Sequence, residues 1–348
     1  MNSKKYRFIP NLATGCLTDD SAKAYFSRLG IAVFVLGILS TASATLLAIL
    51  AKTALSSVLS ISAVAAAANH LVSIIAIYCV AFPFFNLLIK PLPSVKPFKS
   101  RMGFKDGVIG FCICVAAMMT GNYISNVILV WVETFLGATT ENPIASAISP
   151  ADPAVVIVTV IFMVIAAPML EEILFRKVLC AKLLPLGEGY AIVLSGAIFG
   201  LFHGNLYQFA YGFLLGAFFA FIYIKTGKLI YTVIYHMAIN LMGSVIGPWI
   251  LSMIDIDKLT AIIESGSIDP SDPALTSLLI LSIYETLMMV AAVVGIVFFF
   301  KAKKKNMLAL EQGILPPPKK NRLANLFCNV GVAAAITYFV LRMVMSLI

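Results

Sequence analysis

Three short groups of polar residues lie inside strongly apolar stretches of this chain, and their side-chain types suit hydrolytic chemistry. Ionisable side chains are costly in hydrocarbon, so a cluster of them there indicates a functional site. Two carboxylates, one guanidinium, two imidazoles and one amide fall within about seventy residues. The groups are Glu171-Glu172 with Arg176, Phe199 with His203, and His236 with Asn240.

Helical spacing assigns different roles to the two neighbouring glutamates. Residues four apart share a helix face, so Glu172 and Arg176 are predicted to form an ion pair, whose role is supporting or purely structural. Glu171 points about 100° away and has no partner nearby in sequence. A carboxylate of this kind can accept a proton from water, so Glu171 is the predicted general base. Pro168, one turn earlier, predicts a bend close to the site.

The two histidines also share helix faces with useful neighbours. Phe199 and His203 are four residues apart, as are His236 and Asn240. A His–Asn pair on one face can donate hydrogen bonds to a developing oxyanion, which predicts that role for His236 and Asn240. His203 is then predicted to orient the water held by Glu171. Either His alone would more often be a packing donor than a catalytic group.

Composition predicts an all-α polytopic membrane protein with about eight or nine transmembrane helices. The chain is 61% hydrophobic and 12% charged, whereas soluble domains carry about 25% charged residues. Long unbroken apolar runs exclude a β-barrel, which has short alternating strands. The formal charge of +9 is divided among loops, so no nucleic-acid partner is expected. The six cysteines form no CxxC pair and are interpreted as buried small apolar residues.

Hydropathy places the elements that must position these groups, and loop charge orients them. The start of the chain lacks the apolar core of a cleaved signal peptide. Of the 25 Lys and Arg residues, 22 lie in loops predicted to share one side, whereas Glu141, Asp152 and Asp255 lie opposite. The positive-inside rule therefore predicts a cytoplasmic N-terminus. The predicted spans are 30–51, 59–89, 107–136, 153–184, 189–204, 206–224, 228–250, 274–300 and 324–347.

The three groups, read as EExxxR, FxxxH and HxxxN, occur in an order and spacing that resemble the CPBP family. These are the CAAX-protease and bacteriocin-processing intramembrane endopeptidases, also called abortive-infection proteins. The resemblance covers roughly residues 153–250. It divides the chain into N-terminal transmembrane helices (1–152), a four-helix catalytic core (153–250) and C-terminal transmembrane helices (251–348). The last part includes a basic, Pro-containing cytoplasmic linker, and its final helix is expected to be peripheral.

The resemblance implies peptide-bond hydrolysis within or near the membrane. It implies that Glu171 activates water with help from His203, that His236 and Asn240 stabilise the oxyanion, and that Glu172 and Arg176 support the site. Family members are commonly labelled metalloproteases, but the chain has no HExxH motif. Two histidines and a glutamate serve either zinc or a metal-free reaction. No cofactor is therefore assigned; if zinc is bound, its predicted ligands are Glu171, His203 and His236.

Substrate and location follow from analogy. We expect a membrane-associated protein or peptide as substrate, in the plasma membrane of a bacterium, with leader or bacteriocin-like peptides favoured over prenylated proteins. Two other classes stay open. The first is a non-enzymatic immunity or binding protein with the same fold. The second is a proton-coupled transporter, which would typically show paired broken helices in two halves.

Overall fold

The computed structural model describes residues 15–137, 152–265 and 272–347, and helices form almost all of its regular structure. Lys4, Lys5, Arg7 and Glu141 therefore lie outside the described residues. In chain order the helices are α1 (Asp19–Ala54), α2 (Ser62–Ile89), α3 (Phe104–Leu136), α4 (Pro153–Leu186), α5 (Glu188–Phe202), α6 (Leu206–Thr226), α7 (Leu229–Leu251), α8 (Ile256–Ser265), α9 (Pro273–Lys304), α10 (Arg322–Phe327) and α11 (Val330–Met345).

Eight of the nine predicted spans each correspond to one of these helices, which confirms an all-α polytopic membrane protein; the ninth, 324–347, is divided between α10 and α11. Among the described residues, seven helices are long and apolar enough to cross a bilayer, namely α1 to α4, α6, α7 and α9. The other two predicted spans, α5 and α11, are apolar helices of 15 and 16 residues. A full crossing needs about 20 residues, so length alone supports seven crossings in this part of the chain.

Helix α4 carries the first polar group and changes its winding on both sides of it. The stretches Val160–Ala166 and Ile173–Cys180 are π-helical, and the short α-helical stretch Ala167–Glu172 lies between them. Pro168 closely follows the first π-helical stretch inside the continuous helix α4, where its missing N–H removes one internal helical hydrogen bond. The winding of α4 changes there, and a bend at Pro168 stays a prediction. π-Helical turns often occur at functional sites.

Helices α5 and α6 form an antiparallel pair with very close backbones. A Cβ at Gly196 would lie 2.7 Å from the backbone nitrogen of Ala217, and one at Gly200 would lie 2.6 Å from the carbonyl oxygen of Phe209. Glycine at these positions lets the helices approach as small residues do in membrane proteins. The close approach brings Phe199 and His203 of α5 towards the interior of the α4–α7 group.

The loops predicted to share one side do meet at one end of the molecule. Lys182 Nζ donates to the carbonyl oxygen of Leu92 at 2.6 Å. Lys225 Nζ lies 2.6 Å from Glu188 Oε2, which also accepts from the backbone N–H of Glu311 at 2.9 Å. Loops from four parts of the chain are therefore in contact. Which side of the membrane they face stays a prediction, as does the three-part division of the chain.

The expectation that the last helix is peripheral is wrong. Helix α11 packs along α1, where the Tyr338 hydroxyl donates to the carbonyl oxygen of Gly37 at 2.8 Å. Phe339 is fully buried in the main apolar core, and its ring centre lies 6.4 Å from that of Phe202 on α5. The Pro-rich linker does not separate α11 from the rest, because Gly30 and Gly331 let α1 and α11 pack closely.

Candidate active site

The ion pair predicted between Glu172 and Arg176 is confirmed. Arg176 Nε lies 3.1 Å from Glu172 Oε2, and neither side chain is exposed. Arg176 Nη1 donates to Ser195 Oγ on α5 at 3.3 Å. Its guanidinium carbon lies 4.7 Å from the ring centre of Phe199, within cation–π range. The guanidinium therefore ties α4 to α5 while it balances the buried charge of Glu172.

His236 on α7 lies between the two carboxylates of α4. Its Nδ1 is 3.1 Å from Glu172 Oε1, and its Nε2 is 3.7 Å from Glu171 Oε2. The rings of Phe199 and Phe219 pack against the imidazole, with centroids 5.6 Å and 5.4 Å away. The imidazole is thus fixed on two sides by aromatic rings, and one nitrogen faces each glutamate.

The two glutamates differ in accessibility. The Glu171 side chain is 23% exposed, whereas Glu172 is 0% exposed. No hydrogen-bond partner for Glu171 Oε2 is present among the described residues, although that atom is buried. A buried carboxylate oxygen with only a 3.7 Å neighbour has capacity left for a water molecule or substrate.

His203 follows the last residue of α5, and its ring is held by the preceding turn. Its Nδ1 lies 2.9 Å from the carbonyl oxygen of Phe199. A carbonyl oxygen only accepts, so Nδ1 carries the proton and the neutral ring keeps a lone pair on Nε2. The ring also packs edge-on against Phe199, with centroids 5.0 Å apart. His203 interacts electrostatically with both Glu171 and His236.

Asn240 lies one turn after His236 and reaches α4. Its Nδ2 donates to the carbonyl oxygen of Met163 at 2.8 Å, within the first π-helical stretch. A primary amide has two N–H donors, so the second remains for another acceptor. Asn240 also lines a cavity of about 250 Å³ between α3, α6 and α7. Asn240 therefore lies in the cavity wall, one helical turn from His236 of the polar cluster.

Six of the seven predicted site residues contact one another, with Phe199 contacting Arg176, His203 and His236, whereas Asn240, one turn after His236, bonds to the Met163 carbonyl. The difference from expectation concerns His236, which pairs with the glutamates instead of acting only beside Asn240. Sequence reasoning missed Ser195 and Phe219. A serine and a phenylalanine in apolar helices carry no signal by themselves, and only the packing of α5 and α6 against α4 shows their contacts.

The predicted zinc ligands do not fit a metal ion as placed. Within the described ranges, no group of three or more His, Cys, Asp or Glu side chains is arranged to hold one. The Nδ1 atoms of His236 and His203 face Glu172 and the Phe199 carbonyl, an arrangement that leaves both Nε2 atoms for another partner. No step proposed for this site uses a metal.

The fold and the cluster together define a multi-pass membrane protein with a polar glutamate–histidine site buried among four helices. Residues 153–242 match the family model described as "Type II CAAX prenyl endopeptidase Rce1-like". This match confirms, for that segment, the resemblance to the CPBP family that the three motifs predicted.

A curated relative supports the same assignment over a limited length. The human protein named "CAAX prenyl protease 2" is 33% identical over 100 residues, which cover 23% of this chain and 30% of the human protein. The chain thus aligns with less than a third of that relative's length. No solved structure matches this chain.

Proposed function

We propose that this protein is an intramembrane endopeptidase that hydrolyses peptide bonds of membrane-associated proteins or peptides. The observation that carries the proposal is the Glu171 side chain, which is 23% exposed and has His236 Nε2 at 3.7 Å from its Oε2, while Asn240, one turn after His236, lines a cavity. A purely structural cluster would bury both carboxylates and pair them fully. Here Glu172 forms an ion pair with Arg176 and a hydrogen bond with His236, whereas Glu171 has neither and only His236 Nε2 lies near it, at 3.7 Å.

In the proposed reaction, Glu171 accepts a proton from a water molecule, and the water oxygen attacks the carbonyl carbon of the substrate. The lone pair on His203 Nε2 orients that water. The developing oxyanion accepts from the second Nδ2–H of Asn240 and from the His236 imidazole. Glu171 then returns its proton to the leaving nitrogen as the C–N bond breaks. The products are a carboxylic acid and an amine, so atoms and charge balance.

Glu172 and Arg176 act in this proposal through His236. The Glu172 carboxylate fixes the ring orientation from Nδ1, and Arg176 balances the charge of that carboxylate in the low-dielectric interior. The basic loops that meet at one end support a cytoplasmic N-terminus, and the plasma membrane of a bacterium is proposed by analogy. Cleavage of a CAAX-type tail, as the relative's name indicates for the human protein, is one form that the activity can take.

The test compares newly formed peptide termini in native-host membranes that contain wild type or Glu171→Gln at matched abundance. Fragments found only with wild type would establish a protease and identify its substrates. Glu171→Gln is the right comparison because it keeps the shape of the side chain and removes only its capacity as a base. Equal termini with both proteins inserted would instead favour the immunity or binding class.

A further inference from the structure

The cavity beside Asn240 contains polar groups that the three motifs do not explain. It occupies about 250 Å³ and is bounded by α3, α6 and α7. Helix α3 lies before residue 153 and thus outside the segment that matches the family model. The polar lining residues are Asn122, Asn126, Tyr207, Tyr211, Asn240 and Ser244.

Asn122 and Asn126 are unusual because their amides serve no internal contact. Both side chains are exposed and line the open cavity, and within the described part of the chain neither has a hydrogen-bond partner. Helix α3 is held closely there, since a Cβ at Gly121 would have no room against the backbone of Tyr211. Asparagine in an apolar transmembrane helix is costly unless its amide finds a partner. A ligand that supplies such partners would explain the pair.

The spacing of the two amides fits the repeat of an extended peptide. Residues four apart on a helix are separated by about 6 Å along the axis. An extended chain advances about 6.6 Å in two residues, after which a peptide group again faces the same edge. Each Asn offers one acceptor and two donors, which match the N–H and C=O of a peptide group. Asn122 and Asn126 can therefore pair with two alternate residues of one strand.

A peptide segment unwound for cleavage inside a membrane needs such partners. Backbone groups without hydrogen bonds cost several kcal/mol each in hydrocarbon. The amides of α3 can pair with some of these groups whatever side chains the substrate carries. We propose that Asn122 and Asn126 bind the backbone of an extended substrate peptide and hold it in the cavity beside Asn240. This inference rests on the proposed function, and it assigns backbone recognition to a helix outside the matched segment.

The experiment measures binding without requiring cleavage. Purified Glu171→Gln protein in nanodiscs is titrated with a fluorescein-labelled peptide of Ala, Leu and Val, and empty nanodiscs correct for partition into lipid. Asn122→Ala and Asn126→Ala, each added to this background, should raise the Kd about threefold to tenfold, as expected for one lost hydrogen bond. Tyr123→Ala is the matched control because its side chain is 71% exposed and does not line the cavity.

A second probe separates hydrogen bonding from general packing. Replacing one peptide amide of the probe by an ester removes a single N–H donor. At the position that pairs with Asn126, the ester should weaken binding to the parent protein and have no further effect on Asn126→Ala. Melting temperatures of all variants should agree, since neither amide has an internal contact.

Two results would overturn the inference. One is the same Kd for the parent and both Asn variants, and the other is no saturable binding to the parent. Neither result contradicts the proposed function, because wild-type cleavage in membranes is measured separately and depends on Glu171. Conversely, tight Asn-dependent binding by a protein that cleaves nothing would support the cavity assignment and contradict the protease.

Discussion

Two adjacent glutamates of α4 lie in contrasting environments. Glu172 is fully buried, with Arg176 at 3.1 Å on one oxygen and His236 at 3.1 Å on the other. Glu171 is partly exposed, and its Oε2 has only His236 at 3.7 Å. A rotation of about 100° between consecutive residues separates these environments. The Glu172 carboxylate has a charged partner at 3.1 Å and an imidazole at 3.1 Å, whereas the nearest such group to Glu171 is the imidazole at 3.7 Å.

The contrast indicates that the two glutamates of one motif have different roles: Glu172 contributes to stability, and Glu171 is the proposed general base. A buried charge must be paired, or it destabilises the fold. A general base must instead leave an oxygen accessible to water. His236 contacts both carboxylates and therefore belongs to both sides. Substitutions on the Glu172 side should affect folding, and those on the Glu171 side should affect turnover at constant stability.

Replacing each glutamate with glutamine tests this division most directly. Glu171→Gln should lower kcat about 10²- to 10⁴-fold, the usual contribution of a general base, with little change in melting temperature. Glu172→Gln should instead lower the free energy of unfolding, because Arg176 loses its balancing charge. Kinetics on a peptide substrate and denaturation in mixed micelles measure the two effects. Equal loss of stability in both variants would refute the division.

Removing Arg176 should produce the largest loss of stability. Arg176→Ala leaves Glu172 as an uncompensated buried charge, which costs about 3–5 kcal/mol. Lys177→Ala is the matched control because Lys177 is the next residue, is exposed and forms no ion pair within the described ranges. Unfolding in mixed micelles should separate the two variants clearly. Normal folding and full activity of Arg176→Ala would contradict the ion-pair argument.

Much of this site is predictable because its contacts are local in sequence. The Glu172–Arg176 and Phe199–His203 contacts follow from helical spacing alone, and hydropathy placed every helix that carries them. Contacts between helices were not predictable, since no periodicity shows that His236 would lie between two glutamates of α4. The same limit applies to Phe339, which is buried by packing across the bundle although the sequence before α11 resembles a linker.

Substituting His236 and His203 separately should distinguish a residue needed for both stability and activity from one needed mainly for activity. His236→Gln removes a contact to a buried carboxylate, and hydrogen bonds to charged groups contribute about 1.5–3 kcal/mol. This variant should therefore lose both stability and activity. His203→Gln loses mainly a bond to the Phe199 carbonyl, so its stability should fall by about 0.5–1.5 kcal/mol while activity falls strongly. Comparing unfolding with turnover for both variants checks the ranking, and a larger stability loss for His203→Gln would reverse it.

The smallest expected effect concerns the turn after His203. Gly204 has φ +68°, and a residue with a Cβ pays about 1–2 kcal/mol in this left-handed region. An added Cβ would also lie 2.5 Å from Arg342 Nε on α11. Gly204→Ala should thus cost about 1–2 kcal/mol of unfolding free energy and lower kcat moderately, because the strained turn displaces the neighbouring His203.

Gly189→Ala provides the control for this change. Its Cβ would lie 3.7 Å from the Leu310 side chain, an ordinary contact, and alanine within a helix is favoured over glycine by up to about 1 kcal/mol. The control should therefore be neutral or stabilising. Adding Arg342→Ala to Gly204→Ala removes the side-chain contact and leaves the backbone strain. If that double variant regained full stability, the cost would lie in the contact with α11, and the turn itself would impose no constraint on His203.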